Sequence, residues 1–336
     1  MRTALYLGKE EIKLTQADRP RVGPHDVFIK NINASICGTD VAVFQHGPGT
    51  GHKISVGEKF GHEMVSEVVE VGSENTDFKV GQRVYPYPVY AAGDPRKAGM
   101  LGGFTEYLLI KNAKLNHDLY LVPDELSNEV AAMTEPFTVA TRAVKRTYPQ
   151  EGESACVYGA GTIGLGAALA LQHFGCKKVM VVDHSNYRLK IASKLGFETV
   201  NSARENLKKK QLNFFGQGMS LQGTEPKVDI FIDAVGNSEI LQNYLDSTIV
   251  DSRMVLVGVD NQIKEIDLLK MTFASQSLIG SGGYRPDDVE TVFNIFRENK
   301  DNIGKMVTKV EPWENLVDAI KLASDPYRSL NVQVKY

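Results

Sequence analysis

Cysteine and tryptophan are scarce in this sequence: 336 residues hold three cysteines, Cys37, Cys156 and Cys176, and a single tryptophan. Three thiols without a Cys-x-x-Cys pair cannot build a disulfide framework or a four-cysteine structural zinc site within one chain, and such usage fits a reducing, cytoplasmic setting. Charge of one sign is also missing, with Lys+Arg 38 against Asp+Glu 41 and a net of −3. That balance argues against nucleic acid or an anionic membrane as the main partner. The one basic run, Lys208-Lys209-Lys210, reads as a solvated helix face. Long apolar runs are absent as well. The longest, Val157 to Leu171, contains four glycines and stops at Gln172-His173, short of the roughly 20 residues that a membrane helix needs. Met1–Leu7 leads straight into Gly-Lys-Glu-Glu with no apolar core of a leader, so a soluble protein is expected. Neither an internal repeat nor a low-complexity segment is visible.

What is present is the composition of a globular protein, 42% hydrophobic and 24% charged, at a length that implies two domains or one large α/β domain. From Arg2 to about Val122, short strands alternate with turns: Thr3–Leu7, Ile12–Thr15, Val27–Ala34, Glu63–Val71, Val84–Tyr85, Phe104–Ile110 and Leu119–Val122. This region is expected to be a β-rich, partly open barrel or sandwich. Pro86 to Gly103 is rich in Pro, Gly and Ala and reads as an irregular loop. A helix is expected to begin at Leu126-Ser127-Asn128-Glu129, and another to run from Thr134-Glu135-Pro136 toward Arg146, with Pro136 suited to the first helical turn. Glu135 would sit at that helix's N-terminus, where the dipole favours a carboxylate even without a further role.

After Gly152 the pattern becomes strand then helix. Ser154–Tyr158 reads as a strand, Gly159-Ala160-Gly161-Thr162-Ile163-Gly164 as a turn, Leu165–Phe174 as a helix, and Lys178–Val182 as a strand ending in Asp183. A Gly-x-Gly-x-x-Gly that leaves a strand, opens a helix and has an acid at the end of the next strand is a dinucleotide-binding pattern. Gly159 permits the tight turn, Gly161 lets a pyrophosphate approach the backbone, and Gly164 allows close helix–strand packing. Helix N-terminal amides hold the phosphates. Asp183 would accept from the adenosine ribose hydroxyls and repel a 2′-phosphate, favouring NAD over NADP. Further units follow: helix Tyr187–Leu195, strand Val228–Ile232, helix Glu239–Ser247, and strands Met254–Val259 and Ser277–Gly280. They imply a parallel, doubly wound sheet. Gln211 to Lys227 reads as a surface loop. The tail supplies helices at Asp287–Asn299 and Glu314–Ala323, strands at Met306–Val310 and Leu330–Val334, and Trp313 as a core or interface residue.

Chemistry is expected at Ile36-Cys37-Gly38-Thr39-Asp40 and Phe60-Gly61-His62-Glu63. A thiol, an imidazole and carboxylates offer the S, N and O donors that zinc accepts. These two segments are joined by Gly57-Glu58-Lys59, Gly102-Gly103-Phe104-Thr105-Glu106-Tyr107, Glu135-Pro136-Phe137-Thr138-Val139-Ala140 and Tyr158 to Gly166. In this order the whole chain resembles the zinc-dependent medium-chain dehydrogenase/reductase family. Within the family it looks most like the polyol (sorbitol/iditol) and sugar-acid dehydrogenases, since Glu135-Pro136 stands where alcohol dehydrogenases of the family typically carry a cysteine.

The resemblance implies an α/β protein made of a GroES-like β-rich catalytic domain, 1–136 with 280–336, and a Rossmann NAD-binding domain, 137–279. It implies one catalytic zinc held by Cys37, His62 and Glu135, with Glu63 a direct or water-bridged partner. A structural zinc is not expected, because the lobe Tyr87–Gly102 has no cysteine. Thr39 is the implied proton relay and Asp40 the partner that orients His62. Thr162, Ile163 and Arg188 are implied cofactor contacts, Ile163 against one face of the nicotinamide. Backbone at Val257-Gly258-Val259 and Gly280-Ser281-Gly282 would hold its carboxamide. Relatives commonly place a histidine where this chain has Ala42, so the proton is expected to leave through water or through His46 or His52. The implied reaction passes a hydride between NAD and a secondary alcohol of a small polyol, sugar or sugar acid, giving the ketone reversibly. A threonine-type or 2,3-diol dehydrogenase is the alternative, and a non-catalytic NAD-binding protein that keeps the fold is the alternative from another class. Relatives are usually dimers or tetramers, so a homo-oligomer is expected.

Overall fold

The segment Val27–Ser35 forms a nine-residue strand, and much of the first unit is arranged around it. Glu63–Val71 pairs antiparallel along its length, Tyr107–Ile110 along its first half and Asn331–Lys335 along its second half. The sheet runs in the order Val307–Pro312, Asn331–Lys335, Val27–Ser35, Glu63–Val71, Arg83–Pro86 and Leu119–Leu121, with Tyr107–Ile110 paired off this path. A separate two-stranded sheet joins Arg2–Gly8 to Glu11–Gln16. The core behind these strands includes Tyr6, Phe60 and Phe104, and the Phe60 and Phe104 rings meet edge to face at 4.8 Å, a favoured aromatic geometry. Trp313 is buried there, as its sequence context suggested, and its indole N–H donates to the Phe104 carbonyl at 3.0 Å.

One register fixes the later chemistry. Ser35 lies opposite Glu63 in the antiparallel pair. Cys37 follows the end of one strand and His62-Glu63 begins the other, so strand pairing brings distant residues to one end of the sheet.

These observations come from a computed structural model that describes residues 1–49, 54–259 and 262–336. His52, considered above for proton exit, lies outside the described residues. The chain divides into two compact units, Met1–Pro136 with Phe296–Tyr336, and Phe137–Ile295. The first cut falls at the expected position, whereas the chain returns to the first unit at 296 and not at 280. The reason is the start of the helix Asp288–Glu298. The buried Asp288 carboxylate accepts from Arg142 Nε at 2.9 Å and pairs with Lys145 Nζ at 3.0 Å, while Val289, Val292 and Phe293 are buried. The second unit therefore keeps this segment.

The second unit holds a six-stranded sheet in the order Glu198–Asn201, Lys178–Asp183, Ser154–Tyr158, Ile230–Asp233, Arg253–Leu256, Ser277–Gly280. Every pairing in it is parallel. Numbered along the chain, this is the 3-2-1-4-5-6 order of a doubly wound sheet, whose switch point lies between its first and fourth strands. Here those strands are Ser154–Tyr158 and Ile230–Asp233.

Three local expectations are corrected. Pro86 to Gly103 is not wholly irregular: it contains the helix Pro88–Ala91 and the 3₁₀ turn Pro95–Met100, each with proline at its start and the second capped by Asp94, which accepts from Arg96 N at 3.0 Å. The polar segment from Gln211 opens inside the helix Leu207–Phe215, because Leu207, Gln211 and Phe215 recur at helical spacing and the last two are buried. The strand Glu198–Asn201 was not anticipated, since four residues carry too little periodicity to be read. Among the described residues no helix is long and apolar enough to cross a membrane.

Candidate active site

Cys37 is the N-cap of the helix Gly38–His46. Its sulfur accepts from Thr39 N at 3.5 Å and from the Thr39 hydroxyl at 3.0 Å, and its own backbone N–H donates to Asp40 Oδ2 at 3.0 Å. This is a capping box with a thiol in the place usually taken by a hydroxyl. Asp40 was expected to orient His62. Its hydrogen bond in the structure is instead to the Cys37 backbone, and its link to His62 is electrostatic.

Ligand atoms of Cys37, His62 and Glu63 all lie within 4.8 Å of one another. His62 and Glu63 are buried. The bend that presents His62 requires glycine at 61: its φ is +86°, and a Cβ there would stand 2.8 Å from the Phe104 ring. Gly102 N and Gly103 N both donate to the Gly61 carbonyl, at 3.0 and 2.8 Å. The two glycine segments noted in the sequence thus clasp each other directly behind His62.

Glu135, in the first turn of the helix Thr134–Arg146, is 4% exposed and is not one of that triad, but its charge is felt by all three members. Burial pushes the Cys37 thiol up to about 12, with Asp40 and Glu135 adding and the Thr39 hydrogen bonds opposing. Burial likewise raises Asp40 to about 6 against the pull of His62. Glu63 is held well above the usual carboxylate range by burial, then by Cys37 and Glu135. At His62, burial works to lower the imidazole, but Glu135, Asp40 and Glu63 outweigh it and leave it raised. A part-buried thiol and three buried carboxylates in mutual repulsion form a donor set that a divalent cation neutralises, and with His62 its S, N and O atoms suit zinc. The residues fit the metal. His46 is exposed at the last turn of its helix, seven residues beyond Thr39 and thus about 10 Å along the axis.

The second unit has its own pocket-forming features. Helix Thr162–His173 starts from Gly161, after a turn in which Gly159 has φ +100°. A Cβ on Gly164 would lie 1.8 Å from the Gly159 carbonyl oxygen, so only glycine allows this turn to close. The guanidinium of Arg188 stands 3.6 Å from where a Cβ of Gly161 would be. Thr162 and Ile163 are part-exposed in the first turn. Asp183 accepts from Ala160 N and Ser185 N, both at 2.7 Å. It therefore fixes the glycine turn, while its remaining lone pairs are open to a ribose.

Sequence reasoning missed Asp233. Its carboxylate accepts from Val235 N and Gly236 N, each at 2.9 Å, and its carbonyl accepts from Val257 N and Gly258 N, also at 2.9 Å. A Cβ on Gly258 would meet Gly236 N at 2.1 Å. The available signal was Asp233-Ala234-Val235-Gly236 directly after the expected strand Val228–Ile232. A cavity of about 260 Å³ opens here, lined by Asp233, Gly236, Asn237, Gly258, Val259 and Lys264. It lies at the carboxyl ends of two parallel strands, where doubly wound sheets take their ligands.

Comparison with known proteins agrees with both halves. Residues 23–124 match the alcohol dehydrogenase GroES-like domain, and residues 162–298 match the zinc-binding dehydrogenase family. L-threonine 3-dehydrogenase of Klebsiella pneumoniae (strain 342) is 30% identical over 304 residues, 85% of each chain. The chain belongs to the zinc-dependent medium-chain dehydrogenase family. Among solved structures, 2R,3R-butanediol dehydrogenase from Bacillus subtilis aligns with a TM-score of 0.86 at 27% identity, covering 100% of this chain and 99% of the other. L-Idonate 5-dehydrogenase from Escherichia coli shares the fold, with a TM-score of 0.82 at 20% identity, covering 100% and 98%. This dehydrogenase is thus a GroES-like unit joined to a Rossmann unit, and an oxidoreductase of the NAD- and zinc-dependent alcohol dehydrogenase type.

Proposed function

We propose that this dehydrogenase interconverts a secondary alcohol and its ketone on a small polar substrate, a polyol, sugar or sugar acid, using NAD and a single zinc. The observation that carries the metal assignment is the Cys37, His62 and Glu63 cluster within 4.8 Å, with Glu135 beside it as a further donor. Bound zinc supplies Lewis-acid polarisation of the alcohol oxygen, and bound NAD supplies the hydride acceptor. Cys37, His62, Glu63 and Glu135 hold the metal. Thr39 moves the proton at its hydroxyl, which can donate and accept. Asp40 keeps the Cys37 backbone in place. Gly159, Gly161, Thr162 and Gly164 shape the pyrophosphate turn, with Arg188 at its side. Asp183 selects NAD by charge, Ile163 supports the nicotinamide, and backbone at Val257 and Val259 receives its carboxamide.

A second reading is favoured by the 30% identity to L-threonine 3-dehydrogenases and the likeness to a butanediol dehydrogenase. In that reading the substrate is L-threonine or a 2,3-diol. All these candidates share a secondary alcohol flanked by a polar substituent. The intact donor set argues against a non-catalytic binding protein, which has no use for metal ligands. A cytoplasmic homo-oligomer, dimer or tetramer, completes the proposal. It is supported by exposed Ile263, Leu268, Leu269 and Phe273 in the segment leading into the edge strand Ser277–Gly280.

The experiment is metal analysis of zinc-replete protein followed by NAD reduction on a panel of polyols, sugar acids, 2,3-diols and L-threonine. About one zinc per chain and turnover on one of these classes are expected. Protein without zinc, or turnover that is equal or better with NADP, would overturn the metal or the Asp183 assignment respectively.

A further inference from the structure

The strand Val27–Ser35 begins apolar, and its second half carries three buried polar residues, Asn31, Asn33 and Ser35. Its register against Glu63–Val71 shifts between Phe28 and Ile29 and again between Asn31 and Asn33, so the strand is irregular on either side of Asn31, and Cys37 follows two residues after its end. Each of the three polar residues is at most 4% exposed. Burying amides and a hydroxyl in place of valines costs stability unless every one is hydrogen-bonded, and here they are.

Asn31 donates to the Gly102, Gly103 and Thr105 carbonyls at 3.3, 3.3 and 2.6 Å, and accepts from the Ser66 hydroxyl at 2.7 Å. Asn33 donates to Gln333 Oε1 at 3.0 Å, and Gln333 in turn donates to the Glu129 carbonyl at 2.8 Å and to Asn331 Oδ1 at 3.0 Å. The Ser35 hydroxyl exchanges hydrogen bonds with the Asn331 amide at 3.1 and 3.0 Å.

The far ends of these bonds are what matter. Gly102 and Gly103 clasp the Gly61 carbonyl beside His62. Ser66 is on the strand that Glu63 opens. Glu129 is in the short helix Asn128–Ala131, which precedes Glu135. Ser35 itself leads to Cys37. These buried polar residues therefore reach the segments that carry Cys37, His62 and Glu63, and the short helix that precedes Glu135.

We propose that Asn31, Asn33 and Ser35 are positioning residues for the metal centre, holding the Cys37, His62, Glu63 and Glu135 segments in one register through a shared hydrogen-bond network. The inference rests on the zinc assignment above. It does not depend on the substrate. Apolar residues at these positions would keep the sheet but let the donor segments shift independently.

The test uses the full chain loaded with zinc or cobalt. Ser35→Ala and Asn33→Val are compared with wild type, with the conservative Ser35→Thr, and with Thr3→Val, which breaks the buried Thr3–Thr105 hydroxyl pair at 2.8 Å in the same unit. Two readouts are taken besides melting temperature: the rate of zinc release to a chromogenic chelator, and the cobalt–thiolate absorption. Ser35→Ala and Asn33→Val are expected to release zinc about tenfold faster, in the range found when partners of metal ligands are lost, and to shift the cobalt band. Ser35→Thr should restore both. Thr3→Val should lower the melting temperature without moving either. Should Asn33→Val fail to fold, the two Ser35 variants still decide. Wild-type protein that takes up no zinc overturns the metal assignment. Zinc-loaded wild type with Ser35→Ala releasing at the same rate overturns the positioning role alone.

Discussion

Replacing Gly164 by alanine separates two physical effects that have opposite signs. Gly164 lies inside the helix Thr162–His173, where alanine is ordinarily the better helix former by about 1 kcal/mol. Propensity alone therefore predicts a gain in stability. The structure predicts a loss. The new Cβ would stand 1.8 Å from the Gly159 carbonyl oxygen and 2.8 Å from its carbon. Relieving that contact to about 3 Å means moving the turn or the helix start by more than 1 Å, and overpacking of this kind costs about 1–3 kcal/mol. The moved turn is the one that receives the pyrophosphate, and a displacement of about 1 Å at a binding element can cost on the order of a hundredfold. Calorimetric NAD titration and thermal melts of Gly164→Ala are the assays, with Gly304→Ala, where nothing stands within 4 Å of the new Cβ, as control. The expected outcome is NAD binding weakened by about two orders of magnitude and a lowered melting temperature, with the control near wild type. Wild-type NAD affinity together with a raised melting temperature would refute the steric argument and, with it, the assignment of this turn to the dinucleotide.

Other outcomes follow from the same structure. Glu135→Ala should reduce bound zinc, measured by metal analysis, whereas a purely capping role predicts full zinc and a loss of only about 1 kcal/mol. Thr39→Val should lower turnover by about 10²–10⁴-fold, the span of a lost proton relay, with zinc content unchanged. Asp183→Ser should raise NADP use relative to NAD in steady-state kinetics, and should also loosen the turn, because Ala160 N and Ser185 N lose their acceptor. The buried Cys156 thiol is raised from 9.0 to about 12 by burial, against hydrogen bonds from Gln211 and Tyr158. Folded protein therefore holds that proton longer than the unfolded chain does. Stability is intact below pH 9 and falls by about 1.4 kcal/mol per unit between there and 12 for this group. Urea titrations at several alkaline pH values should show a shallower fall for Cys156→Ala.

The proposed metal donors Cys37, His62 and Glu63, which the structure brings together, and the glycine turn were legible in the sequence because their signals are local: a residue type, a spacing, a strand and helix on either side. Legibility ended where a partner was set by tertiary structure or by a helix cap that leaves no periodic trace. Asp40 was read as the companion of His62, yet its hydrogen bond goes to Cys37 N, since Cys37 caps a helix whose weak amphipathicity left no periodic trace. Asp233 was passed over because its partners Val257 and Gly258 lie just beyond the end of the neighbouring strand Arg253–Leu256. The return of the chain at 296 rests on ion pairs between Asp288 and residues over a hundred positions earlier. Asn31, Asn33 and Ser35 had no role read for them, because their partners, among them Thr105, Gln333 and Asn331, are far away in the chain.

The register that sets Ser35 opposite Glu63 has a practical consequence for anyone preparing this protein. A slip of one residue between those strands would turn every side chain to the other face and scatter the donors. A chain that is misassembled in its first unit therefore has nowhere to hold the ion. Among chains supplied with excess zinc, bound zinc per chain then serves as a check on the fold of the first unit.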